Sequence, residues 1–451
     1  MSAPFDYFSY QNGKLSVQDL PLAELAEKYG TPLYVYSSEA LLAPLRSLQK
    51  GLKGLDHLVC FAVKANSNLA VLNLLAESGA GTDLVSGGEL FRAVRAGVPP
   101  ARIVFSGVGK RPEEMQEALK HDIFSFNVES VAELELLNEV ALQAGKIAPV
   151  ALRYNPDVDA KTHPYISTGL KKNKFGLERG EVLDIGRRLG SMPGIHLLGL
   201  SIHIGSQLLS LSPLEDAFLR LKKMRAALEK IIGRPLEVLD LGGGVGITYK
   251  AGEKPPSIER YCKLIQKHFA PKRGEAPVKI VIEPGRSLSG NAGVLLTKIL
   301  YRKPRGKKVF VVVDAAMNDL ARPALYGSFH DIVPVSKRTK SASGTVDIVG
   351  PVCESTDCFA TNRKLPKAID RGDLLAVMSA GAYGFSMSSN YNTRPRPPEI
   401  LVHEGEAHLI RPRETLEDLI RGEVIPGEKQ TQKGERDARN LHSAHHSLHP
   451  I

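Results

Sequence analysis

The chain has 451 residues, 43% hydrophobic and 24% charged, enough apolar material for two globular domains. No run approaches ~18 apolar residues, so no membrane span is expected; the four cysteines are too few and too scattered for a disulfide scaffold, which points to a reducing cytoplasm. The formal charge of +10 invites a nucleic-acid partner, but the basic residues are dispersed and no nucleic-acid-binding motif accompanies them, so steering of a small anion fits better.

The N-terminal "MSAPFDYFSYQNGKL" lacks the basic and apolar regions of a signal peptide. Two β-type runs follow one another here, "FSYQNGKLSV" with its Asn-Gly turn and "TPLYVYS". From residue 57 short apolar runs alternate with amphipathic stretches. Strands are expected at 57–64, 79–86, 102–106, 123–128, 148–154, 196–204, 237–242 and 278–283. Helical patterns such as "NLAVLNLLAESG", "GELFRAVRAG", "PEEMQEALKH" and "SVAELELLNEVALQAG" lie between them. In the last, Ser130 precedes Glu133 at capping-box spacing and Gly145 ends the pattern. Eight strands alternating with helices over about 250 residues imply parallel pairing and a (β/α)8 barrel. An open doubly wound sheet is the alternative.

After residue 290 the texture changes. "KKVFVVVDAAM", "GTVDIVGPVCES", "DLLAVMSAGAYG" and "PEILVHEGEAHLI" read as strands of a mainly antiparallel β-domain. The expected organisation is a barrel over 38–291, a β-domain built from both chain ends (1–37 and 292–422), and a disordered tail, 423–451. That tail holds four of the thirteen histidines, the one cluster from which a metal site could be argued; no other metal set stands out.

Barrel sites lie at the C-terminal strand ends. Here those ends are Lys64, then Asp83 and Ser86, Ser106, Asn127, Arg153 and Asn155, His203 and Ser206, Gly242 to Gly244, and Glu283 with Arg286. All are polar or glycine. A lone lysine after an apolar run can simply snorkel to solvent. "DLGGGVGI" can be a turn or a backbone cradle for an anion. "SIHIGSQ" alternates like a strand, with Ser201, His203 and Gly205 on one face, and "VIEPGRSL" sets a carboxylate and a guanidinium around a Pro-Gly turn, where a surface ion pair is the plainer reading. Together they offer an amine nucleophile, an anion cradle, an imidazole and a carboxylate. Pyridoxal phosphate needs that set, with Lys64 as its Schiff-base lysine.

The motifs "YFSYQNGKL", "GTPLYVYS", "FAVKAN", "DLVSGGEL", "SIHIGSQ", "DLGGG", "EPGR", "MNDLARPALYG", "GPVCESTD", "GAYGFSMSSNYN" and "RPRETLEDLI" run in order through residues 5–420. Along that whole length the chain resembles the alanine-racemase-like, fold-type III pyridoxal-phosphate enzymes, and most closely their diaminopimelate-decarboxylating branch. The resemblance implies that Lys64 holds the cofactor, His203 stacks on its ring and Glu283 pairs with the ring nitrogen, with Asp83 also beside it. Ser206, Gly243, Gly244 and Tyr383 would serve the phosphate, with Gly285 and Arg286 near it. Arg286, Arg322 and Tyr326 would hold the distal end of the substrate, with Tyr383 close by. Glu354 would take its distal ammonium, Cys353 would act as proton donor, and Tyr391 would stand near the cofactor. It implies a homodimer with shared sites and an amino-acid substrate, meso-2,6-diaminopimelate, cleaved to L-lysine and carbon dioxide. A carboxynorspermidine or ornithine-type substrate is the competing enzyme reading, and a non-catalytic regulator the third.

Overall fold

The computed structural model describes residues 7–159, 173–250, 252–271, 274, 276–337 and 341–426. Of the tail expected to be disordered, 427–451 with its histidines lies outside the described residues. The chain divides into two compact units between Arg413 and Glu414. In the second, Leu416–Leu419 is one helical turn, capped by the Thr415 hydroxyl accepting from Asp418 N–H. Among the described residues no helix is long and apolar enough to cross a membrane.

The eight apolar runs form strands: His57–Ala62, Gly81–Leu84, Ile103–Phe105, Ser125–Val128, Ala148–Arg153, Ile195–Ser201, Val238–Asp240 and Lys279–Ile282. Each pairs in parallel with the next, and the eighth returns to the first with Ile280 opposite His57. The sheet therefore closes into a barrel, and the open doubly wound alternative falls. Helices Leu69–Glu77, Gly87–Arg95, Pro112–Lys120, Val131–Gln143, Arg179–Arg188, Ser212–Ile232 and Ile258–Phe269 follow the first seven strands. The Ser130 hydroxyl accepts from Glu133 N–H as the capping spacing predicts. The reciprocal half of the box is missing, because the Glu133 carboxylate takes Lys110 Nζ and Glu129 N–H instead.

The barrel interior changes polarity along its axis. Cys60, Val104, Leu198, Val238 and Val281 come from five different strands yet form one apolar cluster, so they meet in the lumen. Towards the strand ends the buried residues are Thr82, Asp83, Asn127, Ser201 and Asp240. Burying polar side chains is costly without partners, so this end of the lumen is built for something other than packing.

The second sheet has nine strands and is mostly antiparallel. Its centre is Gly293–Arg305, paired with Leu33–Ser37 on one side and Lys308–Val313 on the other. That 13-residue strand is absent from the sequence expectations. Its first half, "GVLLT", is buried throughout, which erases the alternation a half-buried strand would show. A separate three-stranded sheet, Phe8–Gln11, Lys14–Val17 and Leu20–Pro21, holds the Asn-Gly hairpin.

Candidate active site

Lys64 lies just beyond its strand, not within it: Ala62 ends the strand and Val63–Ala65 makes a 3-10 turn. The turn is fixed by backbone bonds from Ala62 N–H to Pro284 O and from Tyr383 N–H to Ala65 O. With Val63 and Ala65 buried, the Lys64 side chain lines a cavity of about 550 Å³. Its ammonium donates to Asp83 Oδ2 at 2.7 Å. Burial opposes the ammonium charge, but Asp83, with Tyr383 and Glu283, outweighs it and raises the lysine above its ordinary pKa.

Three buried carboxylates stand at this end of the barrel, Asp83 and Glu283 acting on the amine and Asp240 behind Glu283. Asn127 joins two of them, its Nδ2 donating to Asp240 Oδ2 at 2.8 Å and to Glu283 Oε1 at 3.1 Å. Asp240 also accepts from Gly242 N–H at 2.9 Å. Burial, then Asp240 and Asp83, pushes Glu283 well above the ordinary carboxylate range. Burial raises Asp240 as well, but its bonds from Asn127 and Gly242 are shorter than those Glu283 takes from Asn127 and, at 3.4 Å, from Ser106 Oγ, so Glu283 holds the proton that the pair shares.

The strand expected over 196–204 ends at Ser201, three residues early. Ile202 and Ile204 are still buried, and His203 and Ser206 line the cavity, but a loop achieves this and not the sheet. His203 Nδ1 accepts from Gly243 N–H at 3.2 Å, so its proton sits on Nε2, and burial followed by Arg153 and Lys64 keeps the ring neutral. That bond commits the Gly243 N–H, which the sequence reading gave to an anion. Gly243 is nonetheless required, since a Cβ there would stand 2.1 Å from Glu283 O. Gly244 lines the cavity with φ +109°, a conformation that glycine adopts without strain. Ser206 Oγ receives Arg286 Nη2 at 3.1 Å, and Gly285 and Tyr383 complete this wall.

The far wall brings in Arg322 and Tyr326. It also holds Tyr249, and His330 is buried behind Arg322; sequence reasoning missed both. Arg286 Nη1 donates to Tyr249 Oη at 2.5 Å, and Arg322 Nη1 donates to His330 Nε2 at 2.7 Å. His330 Nδ1 donates to Met378 O, and burial with Arg322 lowers this histidine to about 3, a neutral acceptor throughout the physiological range. Their sequence contexts, "GITYK" and "SFHDI", carry no spacing signal; only the folded loops reveal them.

Cys353, Glu354 and Tyr391 are not brought to this cavity. All three are exposed. Cys353 N–H donates to Asn392 Oδ1 at 3.0 Å, and Glu354 raises the Tyr391 phenol by its charge and a hydrogen bond. They form a separate surface cluster on the same chain.

The donor set fits pyridoxal phosphate. Among the described residues, Asp83 Oδ1, Asn127 Oδ1 and Ser201 Oγ are buried without a hydrogen-bond partner at the strand ends. Asn127 and Ser201, with Arg153, Phe175, His203 and Glu283, line a second cavity of about 180 Å³ next to Lys64. Orphaned polar atoms beside an amine, a glycine cradle and a guanidinium suit a flat polar ring with an anionic arm.

The sequence profile for "Pyridoxal-dependent decarboxylase, pyridoxal binding domain" matches residues 39–290. Diaminopimelate decarboxylase of Vibrio cholerae is 49% identical over 415 residues, spanning 92% of this chain and 98% of that one. The crystal structure of diaminopimelate decarboxylase from M. jannaschii in complex with L-lysine superposes with a TM-score of 0.89 at 38% identity, covering 94% and 99% of the two chains. That from Helicobacter pylori with L-lysine gives 0.83 at 41%, covering 89% and 98%. Matched in sequence and fold over nearly its whole length, the chain belongs to the diaminopimelate decarboxylase family of pyridoxal-dependent enzymes.

Proposed function

We propose that this chain converts meso-2,6-diaminopimelate to L-lysine and carbon dioxide, the last step of lysine biosynthesis, as a cytoplasmic homodimer using pyridoxal 5'-phosphate. The observation that carries the reading is one cavity holding both the Lys64 amine and two buried guanidiniums, Arg286 and Arg322. An amine to capture the cofactor fits any member of this fold. Two arginines fit a substrate with a second carboxylate at its far end. Ornithine has none.

Bound at Lys64, the cofactor supplies an electron sink for the pair left on carbon when the carboxylate departs. Lys64 would hold it, His203 would lie on its ring, and Glu283 would keep a proton at the ring nitrogen. Ser206, Gly243, Gly244, Gly285, Arg286 and Tyr383 would hold its phosphate, Gly243 through its backbone position since its N–H serves His203. Asp83 keeps the Lys64 amine oriented. Arg322, Tyr326 and Arg286 would fix the distal carboxylate. Cys353 and Glu354, with Tyr391 beside them, would complete the site of a second subunit: Glu354 binding the distal ammonium and Cys353 returning a proton to the carbon that lost carbon dioxide. The carboxylate at position 283 favours decarboxylation over racemisation, because it stabilises a protonated ring.

Purified protein with pyridoxal phosphate should release lysine from meso-2,6-diaminopimelate and far less from the LL isomer. Diamine release from ornithine, with none of either product from diaminopimelate, would overturn the assignment.

A further inference from the structure

Arg286 and Arg322 are both buried, both cationic, and close to one ring. That ring is Tyr249, whose centroid lies 5.7 Å from Arg286 Cζ and 4.7 Å from Arg322 Cζ. Tyr249 is itself buried; its N–H donates to Glu253 Oε2 at 3.0 Å and its ring meets His330 at 5.2 Å. The contacts make an unbroken series from Ser206 through Arg286, Tyr249, Arg322 and His330 to Met378 O. Among the described residues the partners of both guanidiniums are hydroxyls, aromatic faces and an imidazole, with no carboxylate. Two like charges are thus held together without an internal anion, and the ring is what they share.

We propose that Tyr249 is a positioning residue that sets the span and orientation of this two-guanidinium fork, and so determines the preference for a substrate with a second carboxylate. The inference rests on the proposed function above. Its physics is local. The electron-rich face of the ring offsets Arg322, and its phenol oxygen accepts from Arg286, where water is excluded. The phenol oxygen fixes the rotation of Arg286, so that its Nε and Nη2 edge faces Ser206. Beyond the ring, Arg322 is turned by His330 and Ser328, which take one N–H from each terminal nitrogen and leave the rest of the fork for a ligand. An aliphatic side chain at 249 would leave Arg322 without the ring face and Arg286 without the phenol oxygen, and the two cations would part towards water.

The test uses holoenzyme variants Tyr249→Leu, Tyr249→Phe and Arg322→Ala beside the unmodified protein. It measures kcat and KM for meso-2,6-diaminopimelate, the inhibition constant of D-lysine (the same skeleton without the second carboxylate), and cofactor affinity by titrating the apo-protein. Tyr249→Leu should raise KM by roughly 30- to 100-fold with kcat changed less than about threefold, while D-lysine inhibition and cofactor affinity stay within about threefold. Tyr249→Phe, which keeps the ring, should lose about fivefold in KM, and carries the test if the leucine variant does not fold. A Tyr249→Leu enzyme that weakens both ligands equally, or neither, overturns the role of Tyr249, provided Arg322→Ala narrows the gap between them. If Arg322→Ala leaves that gap intact, the carboxylate reading of the fork fails instead.

Discussion

Glu283 shows how one proton can be assigned from packing. Asn127 offers one amide nitrogen to both Glu283 and Asp240, while Asp240 adds the N–H of Gly242 at 2.9 Å and Glu283 only the longer bond from Ser106 Oγ at 3.4 Å. The anion settles on Asp240 and the proton on Glu283, ready to stand opposite a ring nitrogen. Glu283→Gln keeps the shape but would have no proton to give a ring nitrogen and no carboxylate to leave beside it as the ring accepts electrons. Its kcat should fall on the order of 10²–10³ while cofactor affinity changes little, since the contribution belongs to the transition state; near-normal kcat would remove Glu283 from that role. A second expectation concerns pH. Because its folded pKa lies above its unfolded one, the apo-protein binds more protons folded than unfolded between the ordinary carboxylate range and the raised value. Stability must therefore fall as pH rises through that window. Melting temperatures of apo-protein from about pH 5 to 8 should decline more steeply than those of Glu283→Gln, and parallel curves would count against the assignment. Glu283 was legible in the sequence as a carboxylate at a strand end. Asp240 was visible only as the first residue of "DLGGG" and Asn127 only as a polar strand end, because what matters about them is a shared hydrogen bond between strands four, seven and eight.

At the scale of elements, the eight barrel strands were readable because their apolar runs are separated by amphipathic helices of regular length. What periodicity could not supply was where a strand stops. The first and sixth strands end at Ala62 and Ser201, and the residues that matter, Lys64, His203 and Ser206, stand on the loops beyond. Those loops need anchors of their own. Around strands three and four the anchor is Lys110, whose buried ammonium donates to Glu133 Oε1 at 2.7 Å, Gly107 O at 2.8 Å and Asn127 O at 2.7 Å. It ties the loop after the third strand to the fourth, and thereby holds the Asn127 backbone under the carboxylate pair. Lys110→Met leaves Glu133 buried with its ammonium partner gone, a change that costs about 3–5 kcal/mol. Denaturant unfolding should show that loss. The double variant Lys110→Met/Glu133→Gln should recover part of it, because no unpaired charge remains. Additive losses would mean that the ion pair is not the unit. In the sequence the lysine of "GVGKRPEE" looked like any loop charge, and its burial comes from tertiary packing alone.

For the whole molecule, the informative fact is a separation. Cys353 and Glu354 are the residues that the family resemblance makes indispensable, yet they lie exposed, outside the cavity of Lys64. Their motif "GPVCES" could be read only through the resemblance, since no periodicity links it to a site almost three hundred residues earlier. If the protein is an isologous dimer, the separation has a simple resolution: each site takes Lys64 from one subunit and Cys353 with Glu354 from the other. Mixing two inactive variants, Lys64→Ala and Glu354→Ala, under conditions that allow subunit exchange tests this. A mixed dimer then has one site with both defects and one with neither. Random re-pairing makes about half the dimers mixed, so roughly a quarter of all sites should regain activity. If Glu354 served its own subunit, every site would keep one defect and mixing would restore nothing. Exchange is checked independently by mass spectrometry of the dimers, so silence in the assay with exchange complete refutes the shared site. Recovery near a quarter, in contrast, has no source other than sites assembled from two chains.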